Sequence, residues 1–259
     1  MNTSATLLQA PIAVVTGAAR GIGAGVCAVL RDAGYRIVAV DVDALRLAGV
    51  VADLGQAHVA RPVDVTNEGA VSALFEEIER DLGPVSVLVC AAGLLLLPGG
   101  QRPLIQDMTL ETWERSHAVN NTGAFLCSRE YLRHRIAKPV ASGRVVFFGS
   151  VAAQLGGYRS SAAYIAAKAA VMGYAKAFAR EAAPLGITAN VVAPGLIDTE
   201  MLRSTVTSSG ALEAAAQAIP LGRIGQVPDV AAAVAYLVSP SAAYLTGVVI
   251  DVNGGYRMP

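Results

Sequence analysis

The sequence predicts an α/β protein in which one doubly wound parallel sheet carries helices on both faces. Short β-branched runs alternate with longer segments of helical period along the chain, as where Ile12–Thr16 is followed by Ile22–Ala33. Strands that alternate with helices in this way pair in parallel. The 259 residues contain no linker rich in Ser, Pro or charge, so we expect residues 1–259 to form a single domain.

Seven segments have the composition of buried strands. Two of them, Val85–Val89 and Arg144–Phe148, are almost continuously apolar, as expected where helices cover both faces of a sheet. The other predicted strands are Ile12–Thr16, Tyr35–Val40, Ala57–Ala60, Thr188–Ala193 and Val248–Val252. Ligands of open parallel sheets bind beyond the carboxyl ends of the strands. The residues that follow each strand are therefore the first candidates for a functional site.

Composition excludes several classes of function. The formal net charge is zero, so we expect no nucleic-acid or membrane partner. Although 54% of the residues are hydrophobic, the chain shows neither a signal-like N-terminus nor a run of about 18 apolar residues. Cys27, Cys90 and Cys127 have no CxxC spacing and lie in apolar segments, which favours a reducing, cytoplasmic location.

A glycine-rich turn follows the first predicted strand. In Thr16–Gly23 the glycines are Gly17, Gly21 and Gly23, and a helical segment begins directly after them. Glycines permit a tight turn and close backbone approach, so a pyrophosphate fits at the helix N-terminus, where free N–H groups favour anions. A turn with a helix-packing glycine is the alternative, which the strand before and the acidic residue downstream make less favourable.

The acidic residue is Asp41, at the end of the second predicted strand. A carboxylate there accepts hydrogen bonds from adenosine ribose hydroxyls and repels a 2′-phosphate, so we expect NAD rather than NADP. The alternatives are a solvated loop aspartate and a phosphate site at Arg20, whose guanidinium suits NADP. Asp64 and Val65, which we place at the end of the third strand, either contact the adenine or cap a helix before Thr66.

Tyr164 and Lys168 carry the predicted proton chemistry. Four residues apart in a helical stretch, they lie on one face of the helix, where the lysine ammonium stabilises a tyrosine phenolate. Tyr164 then exchanges a proton with a secondary alcohol or ketone. Ser150 ends the fifth strand and reaches the same cleft to polarise a carbonyl, unless it only caps a helix. Asn120, in an irregular helix with Gly123, is placed to hold a water behind Lys168.

Taken together, these motifs resemble the short-chain dehydrogenase/reductase family of the classical type, over nearly the whole chain. The matching pieces are Thr16-Gly17-x-x-x-Gly21-x-Gly23, Asp64-Val65, Ala92-Gly93, Asn120, Ser150, Tyr164-x-x-x-Lys168 and Pro194-Gly195-Leu196-Ile197-Asp198-Thr199. The resemblance implies a single-domain Rossmann fold and a catalytic tetrad of Asn120, Ser150, Tyr164 and Lys168.

The resemblance also implies which residues bind the cofactor. Thr199 would touch the nicotinamide carboxamide, Ile197 would bond it through its backbone, and Lys168 would bind the nicotinamide ribose. The full predicted set is Gly17, Arg20, Gly21, Ile22, Gly23, Asp41, Asp64, Val65, Ala92, Gly93, Tyr164, Lys168, Pro194, Gly195, Ile197 and Thr199. A homotetramer is the family expectation, with Pro220–Arg223 and Asp251–Gly255 shaping the lid and a subunit contact.

One position departs from the family pattern. Cys90 stands where the family usually has Asn, a residue thought to steady the central sheet, so local rigidity and cofactor fit are in question there. We expect Cys90 to be a buried apolar filler rather than a reactive thiol.

Three functions follow from these motifs. We expect hydride transfer between NAD(H) and a small secondary alcohol or ketone. The alternatives are an NADPH-dependent 3-oxoacyl-(acyl-carrier-protein) reductase and a non-catalytic nucleotide-binding regulator. Arg129, Arg133 and Arg135 would meet an acidic carrier, or form an ordinary solvated helix face.

The sequence says less about the substrate. We expect a largely apolar pocket, with a mobile lid over it at about residues 196–220. No catalytic metal is expected, because the three histidines lie far apart and are read as surface or interface residues. The residues assigned to the pocket are Leu94–Leu97, Gln154, Leu155, Met201 and Leu202, and the histidines are His58, His117 and His134.

Overall fold

The computed structural model describes residues 10–157, 160–205 and 209–258. Its centre is a parallel sheet of seven strands in the order β3-β2-β1-β4-β5-β6-β7. The strands are β1 Ile12–Thr16, β2 Arg36–Asp41, β3 Val59–Pro62, β4 Val85–Cys90, β5 Gly143–Phe148, β6 Ile187–Pro194 and β7 Val249–Val252. The chain reverses its direction of strand addition between β1 and β4, and this switch point is where open α/β sheets bind ligands.

Helices cover both faces of the sheet. They are α1 Gly21–Asp32, α2 Ala44–Leu54, α3 Glu68–Asp81, α4 Leu110–His117, α5 Gly123–Ala137, α6 Val151–Leu155, α7 Ala162–Ala182, α8 Glu200–Arg203, α9 Ser209–Gln217 and α10 Val227–Val238. Apolar residues of α3, α5 and α7 pack on one face, and those of α1, α2 and α10 pack on the other. The predicted fold class is therefore confirmed.

The strand bounds agree with the sequence prediction to within two residues. β1 is as predicted, whereas β3 begins at Val59 and ends at Pro62 rather than spanning residues 57–60. Asp64 and Val65 consequently lie two and three residues beyond the strand end, not at it. No helix in the described ranges is long and apolar enough to cross a membrane.

Two predictions of exposed residues are wrong. Arg135, assigned to a basic helix face, is only 1% exposed and pairs with the buried carboxylate of Glu79 on α3. His58, predicted to be a surface or interface residue, is buried within the chain, and its Nδ1 accepts a hydrogen bond from the Ile37 backbone N–H at 3.0 Å. Both polar side chains can be buried because each forms an ion pair or a hydrogen bond with a specific partner on another element.

The irregular helix predicted around Asn120 is present. Ala118–Thr122 forms a π-helical turn between α4 and α5, and Asn120 is buried within it. The next residue, Gly123, must be glycine, because a Cβ atom there would lie only 2.7 Å from Cγ2 of Val65. The turn therefore brings Asn120 toward the carboxyl end of β4, while glycine allows α5 to pack closely on the loop after β3.

Candidate active site

The glycine-rich turn after β1 is shaped for close backbone contacts. A Cβ atom on Gly17 would lie 2.7 Å from Cα of Ala92, and one on Gly23 would lie 2.0 Å from the carbonyl oxygen of Gly17. Neither position tolerates a side chain without movement of the backbone. Gly17 and Gly21 also have positive φ angles of 68° and 54°, which glycine adopts at low cost.

This turn leaves the N-terminus of α1 open to an anion. Arg20 precedes the helix in an extended conformation, and among the described residues its side chain makes no capping hydrogen bond. The first turn, Gly21–Ala24, contains no acidic residue that could satisfy the helix dipole. Backbone N–H groups and the positive end of the dipole therefore face the cleft, which is the arrangement that a pyrophosphate requires. The residues present fit a dinucleotide.

Asp41 ends β2 beside the same turn. Its Oδ2 accepts a hydrogen bond from the Ala19 N–H at 3.0 Å, and its Oδ1 accepts one from the Asp43 N–H at 3.1 Å. Asp41 is therefore a fixed, half-buried acceptor rather than a freely solvated loop aspartate. Since each carboxylate oxygen has two lone pairs, both oxygens retain capacity for ribose hydroxyls.

Asp64 has a local partner. Its Oδ1 accepts hydrogen bonds from the N–H and the hydroxyl of Thr66, at 2.9 and 2.8 Å, and Asn67 caps α3 instead. Asp64 therefore does not cap the helix; it stabilises the turn that precedes the N-cap residue Asn67. Val65 is buried against α5, and both residues still line the cleft.

Ser150 and Tyr164 are brought together by the ends of two helices. Ser150 precedes α6, and its Oγ accepts a hydrogen bond from the Ala152 N–H at 3.2 Å. Tyr164 lies in the first turn of α7, whose cap, Ser161, accepts from the Tyr164 N–H at 3.3 Å. Both side chains line the same cleft, and the Ser150 hydroxyl is the polar neighbour that lowers the pKa of Tyr164. Ser150 therefore caps a helix and also meets the phenol.

Lys168 lies one helical turn after Tyr164 and is buried. Its Nζ donates to the Phe148 carbonyl oxygen at 3.0 Å and lies 5.9 Å from the centre of the Tyr164 ring. Burial lowers the pKa of Lys168 to about 8, and the nearby Cys90 partly opposes this shift. The amine is consequently close to its titration midpoint at neutral to mildly basic pH, as proton-transfer groups require.

Opposing influences act on the pKa of Tyr164. Burial raises it above the ordinary value, because the phenolate loses solvation, while the hydrogen bond to Ser150 lowers it. The positive end of α7 also favours the phenolate, since Tyr164 is in the first helical turn. The site therefore holds a neutral phenol whose ionisation depends on the positive charge placed beside it.

Asn120 lies behind the cleft and does not line it. Its Nδ2 donates to the carbonyl oxygens of Leu94 and Ser116, both at 2.9 Å, and its Oδ1 accepts from the Leu94 N–H at 3.1 Å. A Cβ atom on Gly93 would lie 2.9 Å from this Oδ1 and 3.4 Å from Nζ of Lys168. Asn120 thus ties the loop after β4 to the π-helical turn, directly beside Lys168.

The segment after β6 forms the opposite wall. A Cβ atom on Gly195 would lie 2.7 Å from Cβ of Asn253, so this position also needs glycine. Ile197 pairs with Gly225, and the hydroxyl of Thr199 donates to the Ile197 carbonyl oxygen at 3.3 Å. Thr199 lies 3.6 Å from a Cβ placed on Gly21, so the start of the lid segment reaches the glycine-rich turn.

These walls enclose a cleft of about 930 Å³. Every predicted cofactor residue lines it, and so do Ser150, Leu94, Leu95, Met201 and Leu202. Four residues assigned to the substrate pocket, Leu96, Leu97, Gln154 and Leu155, are not part of this lining.

Gln154 does not contribute to the cleft lining. Its Nε2 donates to the Asp251 carboxylate at 3.0 Å instead. The predicted lid contains α8 and α9, but residues 206–208 lie outside the described ranges, so its mobility stays a prediction.

Sequence reasoning missed several charged residues of the cleft. Glu111, Glu114 and Arg115 on α4 line it, and so does Glu200 at the start of α8. Glu200 contacts arginines that are far away in sequence, so no local pattern indicates its role. The residues on α4 sit in an amphipathic helix whose polar face is indistinguishable in sequence from a solvated one.

The remaining sequence predictions concern cysteines and metals. Cys90 is buried in the core between β4 and α5, as predicted, and its thiol contacts the Ala124 carbonyl oxygen at 3.9 Å. Burial raises the pKa of Cys90 well above the ordinary value, so the thiol is not an activated nucleophile. Within the described residues, no group of three or more His, Cys, Asp or Glu is placed to hold a metal ion.

An anion-binding turn at the switch point, with a buried Tyr–Lys pair in the same cleft, defines a nicotinamide-dependent oxidoreductase that acts on CH–OH or keto groups. Residues 17–257 match a family model described as enoyl-(acyl carrier protein) reductase. The chain belongs to the short-chain dehydrogenase/reductase family.

Curated relatives align over almost their whole length. The chain is 35% identical over 251 residues to 3-oxoacyl-(acyl-carrier-protein) reductase FabG of Vibrio cholerae, covering 97% of this chain and 99% of the relative. The same-named protein of Escherichia coli K12 is 34% identical over 250 residues, with coverages of 96% and 98%. The 2,3-dihydro-2,3-dihydroxybenzoate dehydrogenase of Bacillus subtilis 168 is 36% identical over 259 residues, with 96% of each chain covered.

Proposed function

We propose that this protein catalyses reversible hydride transfer between a nicotinamide dinucleotide and a secondary alcohol or ketone, with Tyr164 as the acid/base. The observation that supports this most strongly is the convergence of Ser150, Tyr164 and Lys168 in one cleft with the glycine-rich turn. The bound nicotinamide supplies or accepts the hydride. The protein's own groups bind, orient and manage one proton.

The proton is handled by the buried pair. During reduction, Tyr164 donates its phenolic proton to the carbonyl oxygen, and during oxidation its phenolate accepts the alcohol proton. Lys168 lowers the cost of the phenolate while the lysine is protonated, which its pKa of about 8 allows at neutral pH. Ser150 holds the substrate oxygen within reach of the phenol.

We assign Asn120 a positioning role. Its side-chain groups are engaged by the backbone of Leu94 and Ser116, so it acts by fixing the loop after β4 beside Lys168. A relay water behind Lys168 would rest on this framework rather than on a free side-chain group of Asn120.

For the cofactor we propose NAD. A fixed carboxylate at the carboxyl end of β2 suits ribose hydroxyls and opposes a 2′-phosphate. The competing preference for NADP is favoured by Arg20, which lies next to the Ala19 N–H that Asp41 binds.

Two substrate classes remain as proposals. The names of the relatives favour reduction of a 3-oxoacyl group on a carrier protein over the small alcohol or ketone that we expected. The Bacillus relative, named as a dehydrogenase of a cyclic diol acid, favours a small secondary alcohol. The predicted carrier surface receives little support, since Arg135 is buried and Arg129 and Arg133 both pair with Glu130.

Fluorescence titration with NADH and NADPH, followed by turnover assays, tests these proposals. The substrates are an acetoacetyl thioester and a panel of cyclic diols and ketones. Tighter binding of NADH and oxidation of a diol support the NAD-linked small-alcohol function. Tighter binding of NADPH with reduction of the thioester supports the acyl reductase. Binding of neither dinucleotide contradicts both. The homotetramer, the cytoplasmic location and the single functional domain with its lid remain predictions.

A further inference from the structure

One carboxylate of the lid segment holds two arginines from different parts of the fold. Glu200, the first residue of α8, accepts hydrogen bonds from Arg46 at 3.1 and 3.3 Å and forms an ion pair with Arg20. Arg20 immediately precedes α1, and Arg46 lies in the first turn of α2. The Glu200 side chain thus joins its own segment to two others, which lie 154 and 180 residues away in sequence.

These arginines flank the ribose end of the cleft. Asp41 accepts hydrogen bonds from the N–H groups of Ala19, which lies within the glycine-rich turn, and Asp43, which immediately precedes α2. Asp43 in turn accepts from the Arg46 N–H and lies 3.5 Å from its guanidinium. Arg20 and Arg46, on either side of the proposed ribose-binding residue Asp41, are therefore already paired with carboxylates.

The charge balance at this end is negative. Arg20 and Arg46 contribute two positive charges, and Asp41, Asp43 and Glu200 contribute three negative charges, so the sum is −1. The pKa of Glu200 is lowered by its hydrogen bonds to Arg20 and Arg46, which keeps it ionised. A 2′-phosphate carries about −1.5 to −2 at pH 7, so it would meet net repulsion and occupied arginines.

We propose that Glu200 is a cofactor-specificity residue that disfavours a 2′-phosphate by engaging Arg20 and Arg46. The inference rests on the proposed dinucleotide function and adds a determinant outside β2. Part of the discrimination between NAD and NADP would then come from a residue of the predicted lid segment. A purely structural role for Glu200, as a tether of α8 to the two arginines, would affect NADH and NADPH alike.

The test is the ratio of NADPH to NADH dissociation constants in Glu200→Gln. Neutralising one exposed charge beside the 2′-position, and freeing two guanidiniums, should lower this ratio about fivefold at low salt. The matched control is Glu213→Gln on α9, which makes the same charge change in the same segment; within the described residues Glu213 has no ion pair. Its ratio should stay within twofold of the wild type.

A ratio within twofold of the wild type in Glu200→Gln, or an equal change in Glu213→Gln, overturns the inference. So does a parallel loss of NADH and NADPH affinity, which is the result of a simple tether. In about 1 M salt the effect should largely disappear, because charges on the surface are screened over about 3 Å, and a difference that persists there also counts against it. If the wild type binds neither dinucleotide, the proposed function fails instead, so the two failures are distinguishable.

Discussion

Replacing the buried Lys168 should stabilise the protein while removing its activity. The pKa of Lys168 falls from the ordinary 10.5 to about 8 because the charged form is desolvated. At pH 7 this difference corresponds to a cost of about 3 kcal/mol for folding with a protonated lysine. Lys168→Met avoids that cost and loses the hydrogen bond to the Phe148 carbonyl, worth about 1 kcal/mol. The net gain is about 2 kcal/mol, or a Tm higher by about 4–8 °C.

The sign of the pH dependence follows from the direction of the shift. The folded state binds fewer protons than the unfolded state between pH 8 and 10.5, so the wild type gains stability as the pH rises through this window. Below about pH 8 the full free-energy cost of burying the protonated Lys168 is present. The advantage of Lys168→Met should therefore be greatest at pH 7 and mostly lost by pH 10.

The assay is thermal and urea unfolding of the free protein at pH 7 and at pH 10. Lys176→Met, an exposed lysine on the same helix, is the matched control and should change stability by less than about 0.5 kcal/mol. A Lys168→Met variant that is less stable than the wild type at pH 7 refutes the reasoning. The same holds if its stability difference is equal at the two pH values.

Three further predictions concern the turn, the core and the thiols. Gly23→Ala places a Cβ 2.0 Å from the Gly17 carbonyl, so titration should show NADH binding weakened by about tenfold or more, and unchanged affinity contradicts this. Arg135→Met leaves Glu79 buried without its cation, so unfolding should show a loss of about 3–5 kcal/mol, whereas exposed Arg133→Met serves as a near-neutral control. All three cysteines are buried, so the native protein should react with less than one equivalent of a thiol reagent and the urea-unfolded protein with three.

The sequence predicted the sheet because its signals are local. Each strand is a short apolar run, and Gly17, Asp41 and Ser150 lie at or just after a strand end, so the sequence alone places them in the cleft. Tyr164 is placed there by its helical spacing to Lys168. The glycines carry the clearest signal, since close backbone approach excludes every other residue there.

The misses share a different physical origin. The sequence predicts Arg135 at the surface and His58 at the surface or an interface because a charged or polar residue is usually solvated. Each is instead buried against one partner that is distant in sequence. Glu200 was missed for the same reason, as its arginines lie on other elements. Gln154 follows Ser150 in sequence, but it lies on a short helix and its side chain binds Asp251 instead of lining the cleft.

The central claim, that Tyr164 is the acid/base of a nicotinamide-dependent oxidoreductase, is tested most directly with Tyr164→Phe. Removing only the hydroxyl leaves the ring against Lys168, so the NADH dissociation constant should stay within about threefold of the wild type while turnover falls by about 10²–10⁴-fold. Binding is followed by NADH fluorescence, and turnover by absorbance with the best substrate of the panel. Loss of turnover with retained binding is the predicted result, and turnover close to that of the wild type would contradict the account.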